Sequence, residues 1–461
     1  MPTECSQDSF DFGTVEGRDV VASFDGGSIT SDAGGLLLGQ TNKAICLTKQ
    51  FAACFADARL AEATTHSVET MIGQIVFGLC LGYEDLVDHD ELRHNPMFAV
   101  LAGKLQSGRK NCAPVAGKST LNRLQLSLKN QTTRYCKIGH DPTAIAKVFV
   151  QFFLKAHATK PRAPIILDLD ATHSVLHGEQ EGRFFQGYYD CYCYLPLLIF
   201  CGRHLLAAKL RTADRDAADC ALDEVKRLVA EIREAWPDVK IWLRGDSGFC
   251  REDLMAWCEA NSVDYVFGLA KNARLLRPIA DELKTAQRNA EKTGAPAREY
   301  KELKYATVDT WSKERRVVAK AEWTGGEANP RFVVTSLSID RASTRFLYED
   351  VYCARGEMEN RIKECQRDMF ADRMPAATLR VNQLRLWFSA MAYVLMCALR
   401  RIALAGTKLA NATCATIRLK LLKIGALVTT SVRRVKIAFA SGFPLQPLFA
   451  LAHERLCSAA R

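Results

Sequence analysis

The chain has 461 residues, of which 48% are hydrophobic and 25% are charged, and its formal net charge is +10. This balance is that of an ordinary globular protein and excludes a mostly disordered, collagen-like or coiled-coil chain. The length allows about three domains, or one large domain with insertions.

Neither a signal peptide nor a membrane span is predicted. The first eight residues contain no basic segment and no apolar segment, so we expect a cytoplasmic protein. The longest uncharged, mostly apolar run covers 14 residues at 386–399, whereas a membrane span needs about 20. This run predicts a buried core helix. The 17 cysteines include no Cys-x-x-Cys pair, which is typical of reduced, mostly buried thiols.

The charge is unevenly distributed along the chain. Residues 371–461 contain 14 Lys and Arg against two acids, a surplus of +12, so the other 370 residues carry −2. A basic lobe beside a nearly neutral body is typical of a protein that binds a polyanion. Basic and apolar residues alternate at 432–437, which favours a folded basic face, and Arg433, Arg434 and Lys436 are its candidate contacts.

The first third of the chain predicts an arm and a helical module. Residues 1–40 are rich in Gly, Asp and Ser and predict an irregular arm with one short strand at 20–24. Residues 41–135 show helical periodicity, for example over 71–81 and 92–105. Ser119 and Thr120 are the expected N-cap region of the next helix.

The pattern changes to strands at about residue 163. The predicted elements follow the order β-β-β-α-β-α-β. They cover, in that order, 163–170, 184–201, 204–211, 217–236, 239–244, 252–261 and 263–269. This is the ribonuclease H-like order, an α/β fold in which helices flank a mixed sheet. We therefore predict a ribonuclease H-like domain over 160–370, a β-rich insertion at about 275–345 and a basic helical C-terminal lobe over 371–461.

Acidic residues fall where such a fold can bind metal ions. Asp168 and Asp170 point to the same face of the first strand, and Asp246 follows the fourth strand, at the sheet edge where ligands often bind. Glu359 lies on a later helix. Carboxylate oxygens suit Mg²⁺ or Mn²⁺, and two such ions can clamp a phosphodiester during in-line displacement. Asp170, Asp246 and Glu359 are the predicted catalytic metal ligands, with Asp168 as the alternative to Asp170.

The helix around Glu359 presents further candidates. Five residues spaced 3, 4, 4 and 3 apart share one helical face: Tyr352, Arg355, Glu359, Lys363 and Gln366. Tyr352, Arg355 and Lys363 are candidate DNA contacts, because such donors bind phosphates beside a metal-binding acid. The alternative is a solvated helix face on which Lys363 pairs with Glu359.

The chain resembles bacterial insertion-sequence transposases of the DDE superfamily, closest to the insertion sequence 1380 family. The resemblance covers nearly the whole chain and rests on sequence blocks at 82–86, 92–96, 119–124, 168–172, 177–181, 187–189, 244–249, 352–356, 359–364 and 382–386. Tyr352, Arg355 and Glu359 match the first three members of the Y-(2)-R-(3)-E-(6)-K signature of the related insertion sequence 4 group. Gln366 replaces its lysine. An Asp-x-Thr pattern favours Asp170 over Asp168.

The resemblance implies cut-and-paste DNA transposition. The enzyme would bind terminal inverted repeats, hydrolyse a phosphodiester at each end, and join the freed 3′-OH to target DNA, with two Mg²⁺ ions (or Mn²⁺) held by the three acids. The module at 41–135, with Lys118 and Arg123 as candidate contacts, and the basic lobe would hold the double-stranded ends. Two protomers would pair the ends in a synaptic complex, in the bacterial cytoplasm at the nucleoid.

Two other functions remain open from the sequence. One is a ribonuclease H-like nuclease that cuts DNA but does not transfer strands. The other is a catalytically inactive DNA-binding repressor, against which the presence of all three acids argues.

Overall fold

The computed structural model describes residues 9–106, 112–157 and 159–460, so the first eight residues of the predicted arm lie outside the described residues. Contacts divide the chain into two compact units. The terminal unit combines Met1–His140 with Met391–Arg461, and the central unit is Asp141–Ala390. The module at 41–135 and most of the C-terminal lobe therefore belong to one unit.

Twenty strands and sixteen α-helices are found in the described residues, besides short 3-10 and π-helical turns. The strands are β1 (Phe10–Val15), β2 (Arg18–Ala22), β3 (Ile29–Thr30), β4 (Phe55–Asp57), β5 (Leu128–Lys129), β6 (Ile138–His140), β7 (Ile165–Ala171), β8 (Ser174–Val175), β9 (Phe184–Gln186), β10 (Cys191–Tyr194), β11 (Leu197–Cys201), β12 (His204–Lys209), β13 (Ile241–Gly245), β14 (Asp264–Leu269), β15 (Ala297–Tyr305), β16 (Arg315–Thr324), β17 (Glu327–Ala328), β18 (Arg331–Thr335), β19 (Ala426–Thr430) and β20 (Val435–Phe439). The helices are α1 (Leu36–Ile45), α2 (Leu47–Ala52), α3 (Val68–Leu81), α4 (His89–Leu92), α5 (Pro96–Leu101), α6 (Lys118–Gln125), α7 (Pro142–Ala156), α8 (Ala221–Ala235), α9 (Glu252–Ala260), α10 (Ala273–Leu276), α11 (Ala280–Thr293), α12 (Thr344–Phe346), α13 (Gly356–Lys363), α14 (Leu379–Ala403), α15 (Cys414–Ile417) and α16 (Gln446–Ala459).

The central unit is built on a mixed nine-stranded sheet. Its order is β12-β11-β7-β13-β14-β18-β16-β15, and β17 pairs with β16. β7, β13 and β14 run parallel, whereas β11 and β12 on one side and β18, β16 and β15 on the other are antiparallel to their neighbours. Apolar side chains of the sheet and of α7, α8 and α9 form one buried core. The carboxyl ends of β7 and β13 therefore lie side by side.

The second expected strand, 184–201, is divided into β9, β10 and β11. β9 and β10 form a separate three-stranded sheet with β8, and only β11 joins the main sheet. The turn between β9 and β10 contains Asp190 in a left-handed conformation (φ 52°). Pro196 lies between β10 and β11, where its lack of an N–H interrupts strand pairing.

The segment at 275–345, expected as a β-rich insertion, extends the main sheet. It contains the second half of α10 and all of α11 before its strands begin. β18 pairs with β14 through Phe332–Leu269 to Thr335–Val266, and β16 and β15 follow outward. β16 and β18 were recognisable from their β-branched residues, but β14, with which β18 pairs, is distant in sequence.

The terminal unit contains more β-structure than the sequence predicts. The expected irregular arm includes the β1–β2 hairpin, and β3 pairs with β19. In the C-terminal lobe, expected to be helical, β19 and β20 form a second hairpin, because β-branched residues at alternate positions favour strands. α6 begins at Lys118 rather than after Ser119, since the Asp90 carboxylate accepts the Lys118 N–H at 3.0 Å.

α14 contains the apolar run at 386–399. This helix of 25 residues is long and apolar enough to cross a membrane by length and composition, and 78% of its most apolar window is buried inside the protein. Such burial is typical of a core helix.

A buried carboxylate connects the two ends of the chain within the terminal unit. Asp32 is fully buried and accepts hydrogen bonds from Lys423 Nζ (2.6 Å), Tyr83 Oη (2.8 Å) and Asn95 Nδ2 (3.1 Å). A buried carboxylate is tolerated only when it is paired and hydrogen-bonded. Lys423 therefore has a structural partner and is not part of a free basic face.

We expect Lys423→Met to lower the free energy of unfolding of the terminal unit by about 3 kcal/mol, because it leaves the Asp32 charge buried without its cation. Lys420→Met, an exposed lysine three residues earlier, is the matched control and should change stability by less than about 0.5 kcal/mol. Urea denaturation measures both. Equal effects of the two substitutions would contradict a structural role for the ion pair.

Candidate active site

Two acidic side chains lie at adjacent strand ends. Asp170 is near the end of β7 and Asp246 directly follows β13, whose last residue, Gly245, pairs with Leu169. Asp246 Oδ1 accepts the Gly248 N–H at 2.8 Å, which holds this carboxylate against the turn after β13. Parallel pairing thus brings together two acids that are 76 residues apart in the sequence.

Asp168 is committed to a buried ion pair. Arg244 donates to both of its carboxylate oxygens, from Nε at 2.5 Å and from Nη2 at 2.8 Å, and both residues are buried. Arg244 Nη1 also donates to the carbonyl oxygen of Val351 at 2.5 Å. Of the two acids on β7, this arrangement leaves Asp170 as the candidate metal ligand.

The third acid lies on a helical segment that runs from 344 to 368 and has π-helical geometry over Leu347–Tyr352. π-Helical turns are frequent at functional sites. Arg355 donates from Nη1 to Asp170 at 3.0 Å and from Nη2 to Glu359 at 3.1 Å. One guanidinium therefore bridges acids from β7 and from this helical segment.

The three carboxylates influence one another electrostatically. Burial raises the pKa of Asp170 to about 6; the charges of Asp246 and Glu359 also raise it, whereas Arg355 opposes the shift. With Arg355, the ionised cluster has a formal charge of −2. We call Asp170, Asp246, Glu359 and Arg355 the carboxylate cluster.

The donor chemistry of the carboxylate cluster fits a divalent cation. Carboxylate oxygens are the ligands that Mg²⁺ and Mn²⁺ prefer, and the surplus negative charge would be neutralised by such an ion. Within the described ranges, no three His, Cys, Asp or Glu side chains are grouped as a ready metal site. Arg355 is the cation that Asp170 and Glu359 contact in this arrangement.

Tyr352 approaches the turn after β13 closely. A Cβ atom on Gly268 would lie 2.6 Å from Tyr352 Oη and 2.9 Å from the Ser247 nitrogen, so this position requires glycine. Burial raises the pKa of Tyr352; Arg355 opposes the shift and Asp246 adds to it. The sequence analysis missed Gly268, because its role depends on the contact of β14 with a distant helical segment.

Gln366 and Lys363 differ in their surroundings. Gln366 Nε2 donates to Thr172 Oγ1 at 3.2 Å and to the carbonyl oxygen of His173 at 3.0 Å, so it fixes the chain just after Asp170. Lys363 is exposed. The expected alternative in which Lys363 pairs with Glu359 is not what the structure contains, since Glu359 pairs with Arg355.

The chain after Asp170 has a second support that the sequence analysis did not identify. The Tyr189 ring stacks on His173 with a centroid distance of 4.1 Å, and its hydroxyl donates to the carbonyl oxygen of Ala171 at 3.4 Å. Burial, with the charge of Asp170 as the next cause, raises the pKa of Tyr189 to about 12. The sequence feature that could have pointed to Tyr189 is the Gly-Tyr-Tyr block at 187–189.

The other predicted DNA contacts lie in the terminal unit. Lys118 pairs with Asp90 at 3.3 Å, whereas Arg123 is exposed on α6. Arg433 and Arg434 are exposed in the turn between β19 and β20, and Lys436 is exposed on β20.

Comparison with known proteins shows a family over nearly the whole chain. A family model described as transposase DDE domain group 1 matches residues 12–460. No curated protein matches the chain in sequence. A solved structure, the piggyBac transposase synaptic complex with hairpin DNA determined by cryo-EM, is similar with a TM-score of 0.39 and 10% identity, over 85% of this chain and 80% of that chain. A similarity at this level carries no argument about the carboxylate cluster.

We expect the stability difference between Asp170→Asn and the wild type to depend on pH in the absence of divalent ions. The folded-state pKa of Asp170, about 6, is raised from 3.8, so its contribution to stability is present below pH 4 and is lost as the pH rises through 6. Asparagine does not titrate. The variant should therefore gain about 2–3 kcal/mol relative to the wild type between pH 4 and pH 7.5. A constant difference in urea denaturation across this range would contradict the shift.

We expect Gln366→Leu to lower the free energy of unfolding of the central unit by about 1–2 kcal/mol, because it removes two hydrogen bonds to the chain after Asp170. Lys363→Leu, at an exposed position of the same helical segment, should change it by less than about 0.5 kcal/mol. Denaturant titration of both variants checks this. If Lys363→Leu is the more destabilising substitution, the assigned support is wrong.

Proposed function

Because this chain belongs to the transposase DDE domain group 1 family, we propose that it cuts phosphodiester bonds at the ends of a mobile DNA element and joins those ends to target DNA. Within that family we place it with the insertion sequence 1380 transposases, on the sequence blocks given above. The observation that carries the proposal is the bridging of Asp170 and Glu359 by Arg355, beside Asp246.

A ribonuclease H-like architecture for the central unit is part of this proposal. β7, β11 and β12, which follow one another in the main sheet, are antiparallel neighbours. β13 and β14 continue the sheet on the other side of β7 and run parallel to it. This placement supports β7 as the central strand, with its acid next to the acid that follows β13.

Asp170, Asp246 and Glu359 would hold two Mg²⁺ ions, which Mn²⁺ could replace. Ions bound there would supply charge stabilisation at the attacking and leaving oxygens of the phosphodiester. Asp168 stays with Arg244 and orients β7. Gln366 and Tyr189 bind the residues that follow Asp170 and so hold Asp170 in place.

Arg355 and Tyr352 would bind the substrate phosphate. A guanidinium donates two parallel hydrogen bonds to phosphate oxygens as readily as to carboxylates. Arg355 can therefore exchange its bonds with Asp170 and Glu359 for bonds to the scissile phosphate. The Tyr352 hydroxyl, beside the turn after β13, adds a further donor. Lys363, exposed on the same helical segment, would contact a more distant phosphate.

The DNA ends would be held by basic residues of the terminal unit. Arg433 and Arg434 at the β19–β20 turn, Lys436 on β20 and Arg123 on α6 are exposed and can reach a phosphate backbone. Lys118 is a weaker candidate, since Asp90 neutralises it. Two protomers would bring two ends together in a synaptic complex, in the bacterial cytoplasm at the nucleoid.

Asp246→Asn is expected to reduce Mg²⁺-dependent cleavage of a DNA duplex carrying the element's end by at least about 100-fold. Even residues that only support metal ligands cost 10–100-fold when replaced. Binding of the same duplex should be unchanged, because phosphate contacts carry affinity. Asp238→Asn, at an exposed position just before β13, is the control and should cleave normally.

A pre-cut end with a free 3′-OH separates the proposed function from its alternatives. Strand transfer by the wild type, lost in Asp246→Asn, is the expected result. Cleavage without transfer would identify a nuclease. Binding without either reaction would identify a repressor. Normal cleavage by Asp246→Asn would remove this residue from the site.

A further inference from the structure

The terminal unit contains a cleft of about 490 Å³ that includes no residue of the carboxylate cluster. Its walls come from the 59–66 segment, Arg93, the 112–117 segment, α6 and Lys137. Its volume is within the range of small-molecule sites. None of its described lining residues is Asp or Glu.

Three cations in this cleft form no salt bridge among the described residues, although the pKa of the neighbouring Asp90 carboxylate is lowered by the Lys118 N–H and, to a smaller extent, by the charge of Arg93. Arg93, Arg123 and Lys137 line it, and the described ion pairs of the terminal unit involve other bases. Arg93 donates from Nε to the carbonyl oxygen of Asp90 at 3.1 Å. Like charges kept close without a counter-ion are unfavourable, so this grouping favours an anion from outside the protein.

The remaining charges at the cleft are already compensated. Arg59 makes two bonds to Asp57, at 2.8 and 2.7 Å. The Asp90 carboxylate, near Gly117, is bound by the backbone N–H and the ammonium group of Lys118. The three cations therefore dominate the charge of the cleft.

A buried imidazole atom supplies an independent observation. His66 Nδ1 is buried without a hydrogen-bond partner in the described part of the chain, and His66 lines the cleft. Buried polar atoms are nearly always hydrogen-bonded, so each exception calls for a missing partner. Burial, with Lys104 and Arg59, lowers the pKa of His66 to about 4, and a neutral imidazole can donate from either nitrogen.

We propose that this cleft is a phosphate-binding site in which Arg93, Arg123 and Lys137 each contact a phosphate of the DNA backbone. The identity of DNA as the partner rests on the proposed function. Guanidinium groups bind phosphate oxygens in a bidentate manner and lysine adds a point charge. Thr120, in the first turn of α6, also lines the cleft. The N-terminus of α6, which is the positive end of its dipole, therefore lies there.

The test is the salt dependence of duplex binding by the full chain. The triple variant Arg93→Gln/Arg123→Gln/Lys137→Gln should make the negative slope of log K against log salt shallower by about 2–3, since each lost phosphate contact contributes about 0.9. A matched triple, Lys43→Gln/Lys49→Gln/Lys129→Gln, removes the same charge from exposed positions of the terminal unit outside the cleft. It should change the slope by less than 1. Equal slopes for the two triples would overturn the proposal.

The single variant Arg123→Gln keeps the test valid if the triple variant does not fold, because this side chain is exposed. It should make the negative slope shallower by about 1, and an unchanged slope would overturn the proposal. Inorganic phosphate and a mononucleotide, tested by thermal shift, distinguish the two sources of phosphate. Stabilisation of the wild type but not of Arg123→Gln assigns a free phosphate. A response to duplex DNA alone assigns the backbone.

Cleavage separates this proposal from the proposed function. If the cleft variants lose salt-dependent binding while the wild type cleaves no DNA end, the cleft stands and the transposase proposal fails. If the slopes are unchanged while the wild type cleaves and transfers strands, only the cleft assignment fails.

Discussion

The buried pair of Asp168 and Arg244 is the interaction on which the carboxylate cluster depends. Asp168 lies on β7 and Arg244 on β13, and the same guanidinium binds the carbonyl oxygen of Val351 on the helical segment at 344–368. These three elements carry Asp170, Asp246 and Glu359. Removing either member would leave an uncompensated buried charge, so the pair fixes the relative positions of all three elements.

Arg355 has a different electrostatic role in the same region. Three carboxylates in a partly buried place repel one another, as the raised pKa of Asp170 indicates, and one guanidinium offsets a third of that charge. Arg355 holds Asp170 and Glu359 together, and under the proposed function it would also bind the substrate phosphate. Its two bonds to acids are the kind that a phosphate can replace.

Only part of the positive charge in the C-terminal region is available to a ligand. Lys423 pairs with the buried Asp32, and Arg418 donates to the carbonyl oxygens of Leu79 and Cys80 at the end of α3. Arg433 and Arg434, in the β19–β20 turn, are exposed. The net charge of the sequence therefore identified a basic region. The structure divides its cations into those with structural partners and those that are exposed.

The sequence by itself determined the type and approximate position of most elements of the central unit, because period-2 and period-3.6 patterns are local properties of the chain. Short blocks of residues with characteristic spacing also indicated a DDE transposase, which the family match confirms. It misjudged the division of 184–201, where one proline separates two sheets, and the nature of 426–439, where a basic hairpin resembled a helix.

Only the tertiary structure decided which acids and bases meet. The pairing of Asp168 with Arg244, of Arg355 with Asp170, and of Gln366 with the chain after β7 joins residues from 76 to 194 positions apart. Gly268 has a role only because Tyr352 packs against it. The grouping of Arg93, Arg123 and Lys137 likewise has no local sequence pattern. Such contacts depend on strand order and helix placement, which arise from burial of the whole core rather than from any short segment.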